Sequence, residues 1–277
     1  MVSVTSDMDI AASSRALRQA AARTAALLRT APEADAPVPG LVWSVAETAA
    51  HLVGGLQHYT AFVTGNEDAR EYFQLAADAK TPAERAAVAN ARALDELAER
   101  DLGRLADMMV EAAANFVTVA AGRPHDELIL TDTGLFMTVP VMTAAMLGEQ
   151  LVHGLDIARA VRRRWPIARD DALLVIGGVM AMAPEYVDRQ QTAGLHVAYE
   201  LRFKGGPRYK LTIDDATAAV TAPDGRADCW IFADPAAFLL VGYGRAGQWG
   251  QALRGKIVVG GRKPWLGLKF GKILTSI

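Results

Sequence analysis

The stretch GEQLVHGLDIARAVRRRWP, residues 148–166, places three polar side chains inside an apolar, helix-forming run. Glu149 and His153 are four residues apart and Asp156 follows three residues later, so all three fall within about 60° of one helix face. The helix is too apolar to lie wholly exposed, and buried charges need a partner or a metal ion. The stretch therefore predicts a bundle helix that carries polar groups towards the bundle interior.

A second segment, WSVAETAAHLVGGLQHYTAFV, places two histidines in a similar apolar setting. Its Ser44 stands three residues before a glutamate, which is the capping-box pattern of a helix start. His51 and His58 are two turns apart, roughly 10 Å along a helix, so only one of them can share an ion with Glu149 and His153. We expect His51 to do so, because it lies deeper in the apolar run. The plainer alternative is that Glu149 and His153 form an i,i+4 hydrogen-bonded pair on a solvent-exposed helix face and bind no ion.

The first two-thirds of the chain have the composition and periodicity of helices. A proline-rich loop interrupts them, and so do residues 127–139, which alternate and turn at Thr133-Gly134 as a hairpin or an irregular crossover would. The predicted helices are residues 11–30, the segment that begins at Ser44, one long helix over 81–119, the helix that Pro166 ends, and 170–187.

After residue 186 the pattern changes to the alternation of half-buried strands. It is clearest in LHVAYELRF and YKLTIDD and weaker in ATAAVTA and DCWIFAD. Asp234-Pro235 begins a helix, GKIVVGG is a last strand and KPWLGLKFGKIL a closing helix. The fold class predicted is α plus α+β, with a helical bundle over residues 1–186 and a small α+β domain over 187–277.

Composition limits the classes of function. The chain has 277 residues, 51% of them hydrophobic, which permits a sizeable core. The longest apolar run is too short to cross a bilayer, and the N-terminus lacks the pattern of a signal peptide. Cys229 is the one cysteine, which fits a reducing, cytoplasmic location, and we expect it to be a packed strand residue.

Charge is unevenly distributed along the chain. The net charge is −2, but residues 202–277 carry +7 and the preceding part −9. The basic part is suited to an anionic small molecule. The cations are scattered and no run of stacking aromatics accompanies them, so nucleic acid is not an expected partner, and neither is a membrane.

At this point the residues resemble a known family. WSVAETAAHL followed by EQLVHGLDIARA resembles the DinB-like helical-bundle enzymes, in their mycothiol-dependent maleylpyruvate isomerase branch. ADPAAFLLVGYGR and GKIVVGG resemble the sterol-carrier-protein-2-like (SCP2-like) domain appended to that branch. The resemblance implies a DinB-like four-helix bundle followed by a small SCP2-like α+β domain. It also implies a divalent metal ion, expected to be Zn²⁺, bound by His51, Glu149 and His153, with mycothiol as the thiol cosubstrate.

The resemblance extends to two further residues. Asp156 matches an acid often found after the metal-binding histidine, where it would orient a ligand or hold the helix end. An arginine of the C-terminal domain is implied in the active site, so that both domains would line one cleft. Arg245 is the position that we match to it, with Arg226 and Arg262 as alternatives.

Three functions fit these residues. Two imidazoles and a carboxylate leave a position open on Zn²⁺, where a thiol loses its proton and can serve isomerisation or S-transfer on a small electrophile. The same trio suits a non-haem Fe(II) oxygenase, which metal content and oxygen dependence would reveal. The third function is a non-catalytic carrier of an apolar ligand, which a metal-free protein with bound lipid would support.

Overall fold

The computed structural model of this protein describes residues 8–66, 71 and 76–274. The chain divides into two compact units, one over Asp9–Ile167 and the other over Ala168–Ile277. The first is helical and the second contains a mixed sheet, which confirms the predicted class of a helical region followed by an α+β domain. Within the described residues, no helix is long and apolar enough to span a bilayer.

The first unit contains a four-helix bundle. Its helices are α1 (Ile10–Arg29), α2 (Val45–Thr64), α3 (Pro82–Glu96), α4 (Leu102–Ala121) and α5 (Val139–Ala160). Both α1 and α2 pack against α4 and α5, whereas α3 packs on α2 from outside the bundle. The side chains of Leu17, Leu105, Leu147 and Leu151 are fully buried in this unit.

The capping boxes predicted from the sequence are present. Ser44 accepts a hydrogen bond from the backbone N–H of Glu47, and the Glu47 carboxylate accepts one from the Ser44 N–H. Thr81 and Glu84 make the same reciprocal pair at the start of α3. Each pair satisfies two donors that a helix start otherwise leaves without partners, so these local sequences fix where α2 and α3 begin.

The prediction of one long helix over residues 81–119 is wrong, because a short non-helical segment separates α3 from α4. The Arg100 guanidinium donates to the carbonyls of Leu94 and Leu97, at the C-terminal end of α3. One residue later, the Asp101 carboxylate accepts from the N–H of Arg104 at 2.8 Å and begins α4. Side chains that satisfy the backbone groups of both helix ends offset the loss of continuous helical hydrogen bonds.

A short hairpin leads into α5. Strands β1 (Leu128–Leu130) and β2 (Phe136–Thr138) pair antiparallel, with Leu128 opposite Thr138. Gly134 in the turn has a φ of 82°, a conformation that favours glycine. Of the two forms expected for this segment, a hairpin or an irregular crossover, the structure shows the hairpin, with its turn at Thr133-Gly134 as predicted.

The end of α5 differs from the expectation. The helix ends at Ala160 rather than at Pro166, and Arg162 adopts a left-handed conformation with φ 55°. Beyond this turn the chain folds back, and the buried Trp165 indole donates to the Leu151 carbonyl at 2.9 Å. The guanidinium of Arg23 on α1 lies 4.1 Å from the centre of the Trp165 ring. Burial of this indole requires the helix to end early.

The Trp165 ring lies so close to Gly154 that a Cβ atom there would overlap it. We expect Gly154→Ala to lower the free energy of unfolding of the bundle by about 1–3 kcal/mol, because the ring is too tightly held to move aside. Gly55→Ala on α2 is the matched control, since nothing lies within 4 Å of its Cβ position. It should be neutral or stabilising by up to about 1 kcal/mol, as for glycine in a helix interior. Thermal unfolding followed by circular dichroism compares the two, and equal stability would contradict the tight packing.

The second unit is a sheet with helices against it. Its elements are α6 (Arg169–Met182), a 3₁₀ turn (Ala183–Tyr186), α7 (Arg189–Thr192), β3 (His196–Phe203), β4 (Arg208–Asp214), β5 (Thr217–Thr221), β6 (Cys229–Ala233), α8 (Pro235–Gly242), α9 (Gln248–Leu253) and β7 (Ile257–Gly260). The strand order is β5-β4-β3-β6-β7, with β3 parallel to β6 and the other neighbours antiparallel. Each strand and the helix that follows Asp234 appear where the sequence predicts them.

Helix α6 belongs with this sheet. Its Ile176 and Met180 are buried in one apolar cluster with Val197 and Tyr199 of β3. The boundary between the units therefore lies after Ile167, earlier than the boundary after residue 186 that the sequence analysis expects. Helical periodicity identifies α6 as a helix, but the surface that buries it comes from strands further along the chain.

The closing segment forms two 3₁₀ turns instead of the predicted helix. They cover Pro264–Leu268 and Phe270–Lys272. Gly267 lies so close to Val259 of β7 that a Cβ atom would overlap the valine side chain. A close backbone approach of this kind, together with the low helix propensity of glycine, favours short turns over a regular helix.

Candidate metal centre

Three polar side chains meet between α2 and α5. His51 extends from α2, and Glu149 and His153 from consecutive turns of α5. The Nε2 atom of His51 lies 3.2 Å from the Oε2 atom of Glu149, and the Nε2 atom of His153 lies 3.3 Å from the same oxygen. One nitrogen or oxygen atom from each residue lies within 4.8 Å of the other two. The fold thus brings together the trio that the sequence selects.

The spacing of these atoms fits a divalent ion. Two ligands about 2.1 Å from Zn²⁺ in a tetrahedral site are about 3.4 Å apart. The two distances between histidine nitrogen and Glu149 oxygen are 3.2 and 3.3 Å, close to that separation, and the three ligand atoms all lie within 4.8 Å of one another. Imidazole and carboxylate together are also the donor set that zinc and iron accept in proteins.

Asp156 determines which nitrogen of His153 faces the cluster. Its Oδ2 atom lies 3.1 Å from the Nδ1 atom of His153, and its side chain is 1% exposed. A carboxylate in that place keeps a proton on Nδ1 and leaves Nε2 to point towards Glu149. Metal-binding histidines commonly have such a partner, which sets the tautomer and ring orientation. In this structure Asp156 positions His153 rather than joining the trio.

The three groups titrate differently. Burial lowers the pKa of His51, against the opposing effect of its hydrogen bond with Glu149, so this ring is neutral at pH 7. Burial disfavours the Glu149 carboxylate, but hydrogen bonds from His153 and His51 outweigh it and hold its pKa well below the usual range. Burial also disfavours the His153 cation, yet Asp156 and Glu149 raise the pKa of His153 to about 9.

The cluster is accessible from the side of its carboxylate. The His51 and His153 side chains are 9% and 11% exposed, whereas that of Glu149 is 30% exposed. The described ring neighbour of both imidazoles is the indole of Trp43. A small ion or ligand could therefore approach Glu149 while both imidazoles stay largely shielded from water.

Trp43 borders both imidazoles and is a residue that the sequence analysis does not select. Its ring centroid lies 4.9 Å from that of His51 and 6.2 Å from that of His153. A signal for it exists in the sequence, since Trp43 directly precedes Ser44, the residue that caps the helix carrying His51. Aromatic residues at helix starts are common, so this signal does not single out Trp43. Its contacts with the two histidines become visible only in the fold.

Three other histidines lie outside the trio. His58 is buried, but its Nε2 atom lies 3.4 Å from a carboxylate oxygen of Glu96, the last residue of α3. His125 is exposed, and His196 forms an exposed pair with Asp214 at 2.6 Å. The expected choice of His51 over His58 as the partner of Glu149 agrees with these positions.

The candidate arginines all belong to the second unit. Arg245 is half-buried and donates to the Tyr243 carbonyl at 2.8 Å. Arg262 donates to the Asp228 carboxylate at 2.5 Å, and Arg226 is exposed. The ion pair of Arg262 neutralises its charge, which makes it the least suited of the three to bind an anion. The role of Arg245 stays a prediction.

Cys229 is not a nucleophile by its surroundings. It is fully buried in β6, opposite Tyr199 of β3. Burial raises the pKa of its thiol, so the thiolate form that reacts is disfavoured. The expectation of a packed strand residue is in agreement with this environment.

Comparisons with known proteins agree with this architecture. A family model described as "Mycothiol maleylpyruvate isomerase N-terminal domain" matches residues 15–158, more than half of the chain. A crystal structure of the mycothiol-dependent maleylpyruvate isomerase superposes with a TM-score of 0.53 at 11% identity, covering 92% of this chain and 94% of that one. A second crystal structure, of a histidine-to-alanine mutant of that isomerase, gives 0.52 at 12% identity with the same coverage. At these low identities the likeness establishes a shared fold. No curated protein matches.

Proposed function

This chain belongs to the mycothiol maleylpyruvate isomerase N-terminal domain family, and from that premise we propose that it is a metal-dependent enzyme that uses a thiol, mycothiol, on a small electrophilic metabolite. The observation that carries the proposal is the approach of two histidine nitrogens to one oxygen of Glu149, at 3.2 and 3.3 Å. The proposed ligands are His51, Glu149 and His153, and the proposed ion is Zn²⁺.

A bound divalent ion supplies positive charge that lowers the pKa of a thiol beside it. The residues of the chain prepare the site for that ion. His51 is neutral because burial lowers its pKa, so one of its ring nitrogens carries a lone pair, and an ion at Nε2 would take the place of the proton shared with Glu149. Asp156 holds the proton of His153 on Nδ1, and the carboxylate of Glu149 contributes one negative charge. Three protein ligands leave room for a further one, as in catalytic zinc sites.

The proposed reaction is thiol chemistry with two outcomes. In isomerisation, the thiol loses its proton and its sulfur forms a bond to one carbon of an activated double bond, whose π electrons move to the electron-withdrawing group. Rotation about the resulting single bond and loss of the thiolate then give the other geometric isomer. In S-transfer, the sulfur displaces a leaving group, which departs with the electron pair of the broken bond.

The experiment that tests this function is turnover of a panel of small electrophiles by the purified protein with mycothiol. Activity should disappear after chelation of the metal and return when Zn²⁺ is added back. Iron in the purified protein together with oxygen-dependent turnover would contradict the thiol enzyme and favour an Fe(II) oxygenase.

Arg245 is proposed to bind an anionic group of the electrophile through its guanidinium. The net charge of +7 in residues 202–277 supports an anionic substrate. Among Arg245→Ala, Arg226→Ala and Arg262→Ala, the first should raise KM for a carboxylate-bearing electrophile most. A larger effect in either of the other two would transfer the role to that arginine.

Metal affinity should depend on pH through His153. Because the pKa of His153 is raised to about 9, an ion that binds below this pH must displace a proton from Nε2. The apparent affinity should therefore rise about tenfold for each pH unit up to roughly pH 9 and then level off. Isothermal titration with Zn²⁺ between pH 6 and pH 9.5 measures this.

Asp156→Asn provides the control for that pH profile. It removes one of the two carboxylates that stabilise the His153 cation, so the levelling point should move to lower pH. An affinity that does not change between pH 6 and pH 8 in the unmodified protein would show that His153 is not the ligand that loses a proton.

A second candidate function, carriage of an apolar molecule, is favoured by a cavity of about 400 Å³ in the second unit. Its lining is mostly apolar and includes Met180, Ile231, Phe238, Val259 and Phe270. The volume lies within the range of small-molecule sites. The likeness of this unit to an SCP2-like domain stays a prediction.

The carrier function has its own test. The purified protein should bind decanoate, displacing the dye 1-anilinonaphthalene-8-sulfonate from the cavity. Val241→Trp, which places an indole at the cavity wall, should abolish that displacement while metal binding persists. Equal displacement in both proteins would exclude the cavity as the binding site.

A further inference from the structure

We infer that the indole of Trp43 positions the two histidine rings of the candidate metal centre, an inference that rests on the proposed metal site. Trp43 touches no proposed reacting atom and offers no ligand atom, so its role is one of orientation. The argument depends on three features: its contacts with the rings, the backbone that holds it, and the freedom that the rings would otherwise have.

The indole contacts both rings at different angles. Its plane is tilted 35° from that of His51, with centroids 4.9 Å apart, and 45° from that of His153, with centroids 6.2 Å apart. The two histidine rings meet edge to face, at 80° and 5.0 Å. The three rings therefore form one packed group, in which each imidazole is restrained by another imidazole and by the indole.

This restraint matters because imidazole rings rotate readily. The terminal torsion of histidine is broad and roughly two-fold, so packing and hydrogen bonds decide which nitrogen faces a site. His153 has Asp156 on its Nδ1 atom. The described contacts of His51 are the hydrogen bond from its Nε2 atom to Glu149 and the ring contacts with Trp43 and His153. Trp43 therefore restrains the ring orientation of His51, as Asp156 restrains that of His153.

The backbone around Trp43 holds the indole in place. The Trp43 carbonyl accepts from the N–H of Val38 at 3.0 Å, and Val38 is itself buried. Ser44 forms an isolated bridge with Pro37, and the N–H of Val45 donates to the Ala36 carbonyl at 3.0 Å. The loop backbone is thus held at Trp43 and at the two residues that follow it, which fixes the point from which the indole extends towards the histidines.

Residues that do not bind the metal themselves but orient its ligands typically contribute about 10–100-fold to metal affinity. We therefore expect Trp43→Ala to bind Co²⁺ at least about tenfold more weakly than the unmodified protein, by the lower end of that range. Trp43→Phe retains an aromatic face against His51 and should stay within about threefold, because the ring contact survives. Val42→Ala is the matched control in the same loop, since Val42 is 96% exposed.

The test uses the full chain and Co²⁺ as the probe. Dissociation constants come from competition with a chelating dye, and the visible absorption of bound Co²⁺ reports the geometry of its ligands. Trp43 also gives a direct signal, because an ion beside His51 would quench its fluorescence. That quenching should be lost in Trp43→Phe, although the four other tryptophans of the chain remain.

The outcomes separate this inference from the function on which it rests. Weaker binding and an altered Co²⁺ spectrum in Trp43→Ala, with recovery in Trp43→Phe, support it. Unchanged binding in Trp43→Ala overturns it and leaves the metal site intact. Failure of the unmodified protein to bind Co²⁺ overturns both. If Trp43→Ala does not fold by circular dichroism, Trp43→Leu makes the same comparison, since it fills space without an aromatic face, and equal affinity in that variant overturns the inference.

Discussion

Replacing His153 by alanine is expected to remove the divalent ion and leave the helices in place. His153 is proposed as one of three ligands, and its Nε2 atom lies 3.3 Å from the Glu149 oxygen that His51 also approaches. Two ligands hold the ion less tightly than three, so metal affinity should fall by more than the loss of about 100-fold that follows when a residue that only orients a ligand is removed. Metal analysis after gel filtration measures the content, and circular dichroism the helices.

His58→Ala is the matched control for that experiment. His58 is also a buried histidine of the bundle, on the helix that carries His51, but it pairs with Glu96 at 3.4 Å. It should keep the metal content of the unmodified protein. Full occupancy in His153→Ala, or equal loss in both variants, would contradict the assignment of the ligands.

Activity is expected to fall to the uncatalysed rate when no low-molecular-weight thiol is supplied. The proposed site has no nucleophile from the chain among its three residues, and Cys229 is fully buried in a strand of the other unit. Burial raises the pKa of that cysteine, so it is protonated at pH 7. The reacting thiolate must therefore come from outside, and mycothiol is the proposed donor.

Cys229→Ala distinguishes an external thiol from an internal one. This variant should keep full activity with mycothiol, because the buried sulfur only packs against its neighbours. The assay compares initial rates with mycothiol, with glutathione and without any thiol, after circular dichroism has shown that the variant is folded. Turnover by the unmodified protein without added thiol would overturn the thiol mechanism and favour an oxygenase or a metal-bound hydroxide.

The sequence is most informative where short-range patterns determine the structure. Ser44 and Thr81 form the reciprocal caps that their spacing predicts, because both partners lie within one helical turn. Strands β3 and β6 alternate as predicted, since one face of each is buried. The same local rule places Glu149, His153 and Asp156 on one face of α5.

The predictions that fail involve partners distant in the chain or competing local contacts. The helix over residues 81–119 breaks because Arg100 and Asp101 satisfy the ends of two helices. Helix α5 ends at Ala160 because Trp165 packs on Gly154. A composition rich in alanine and arginine favours helix in both places and contains no information about where a side chain will find its partner.

What the sequence by itself determined is the set of helices and strands and the chemistry available on them: the order of a helical region and a sheet, and one acid and one histidine a turn apart on α5. Only the tertiary structure decided that Trp43 lies against both histidines and that α6 packs on the sheet, and it places His51, the histidine that the sequence favours, beside Glu149. The physical reason is the range of the interactions. Periodicity and capping act within a few residues, whereas the packing of one helix against another depends on surfaces far apart in the chain, such as those of Thr24 and Gln150, 126 residues apart, which no local pattern encodes.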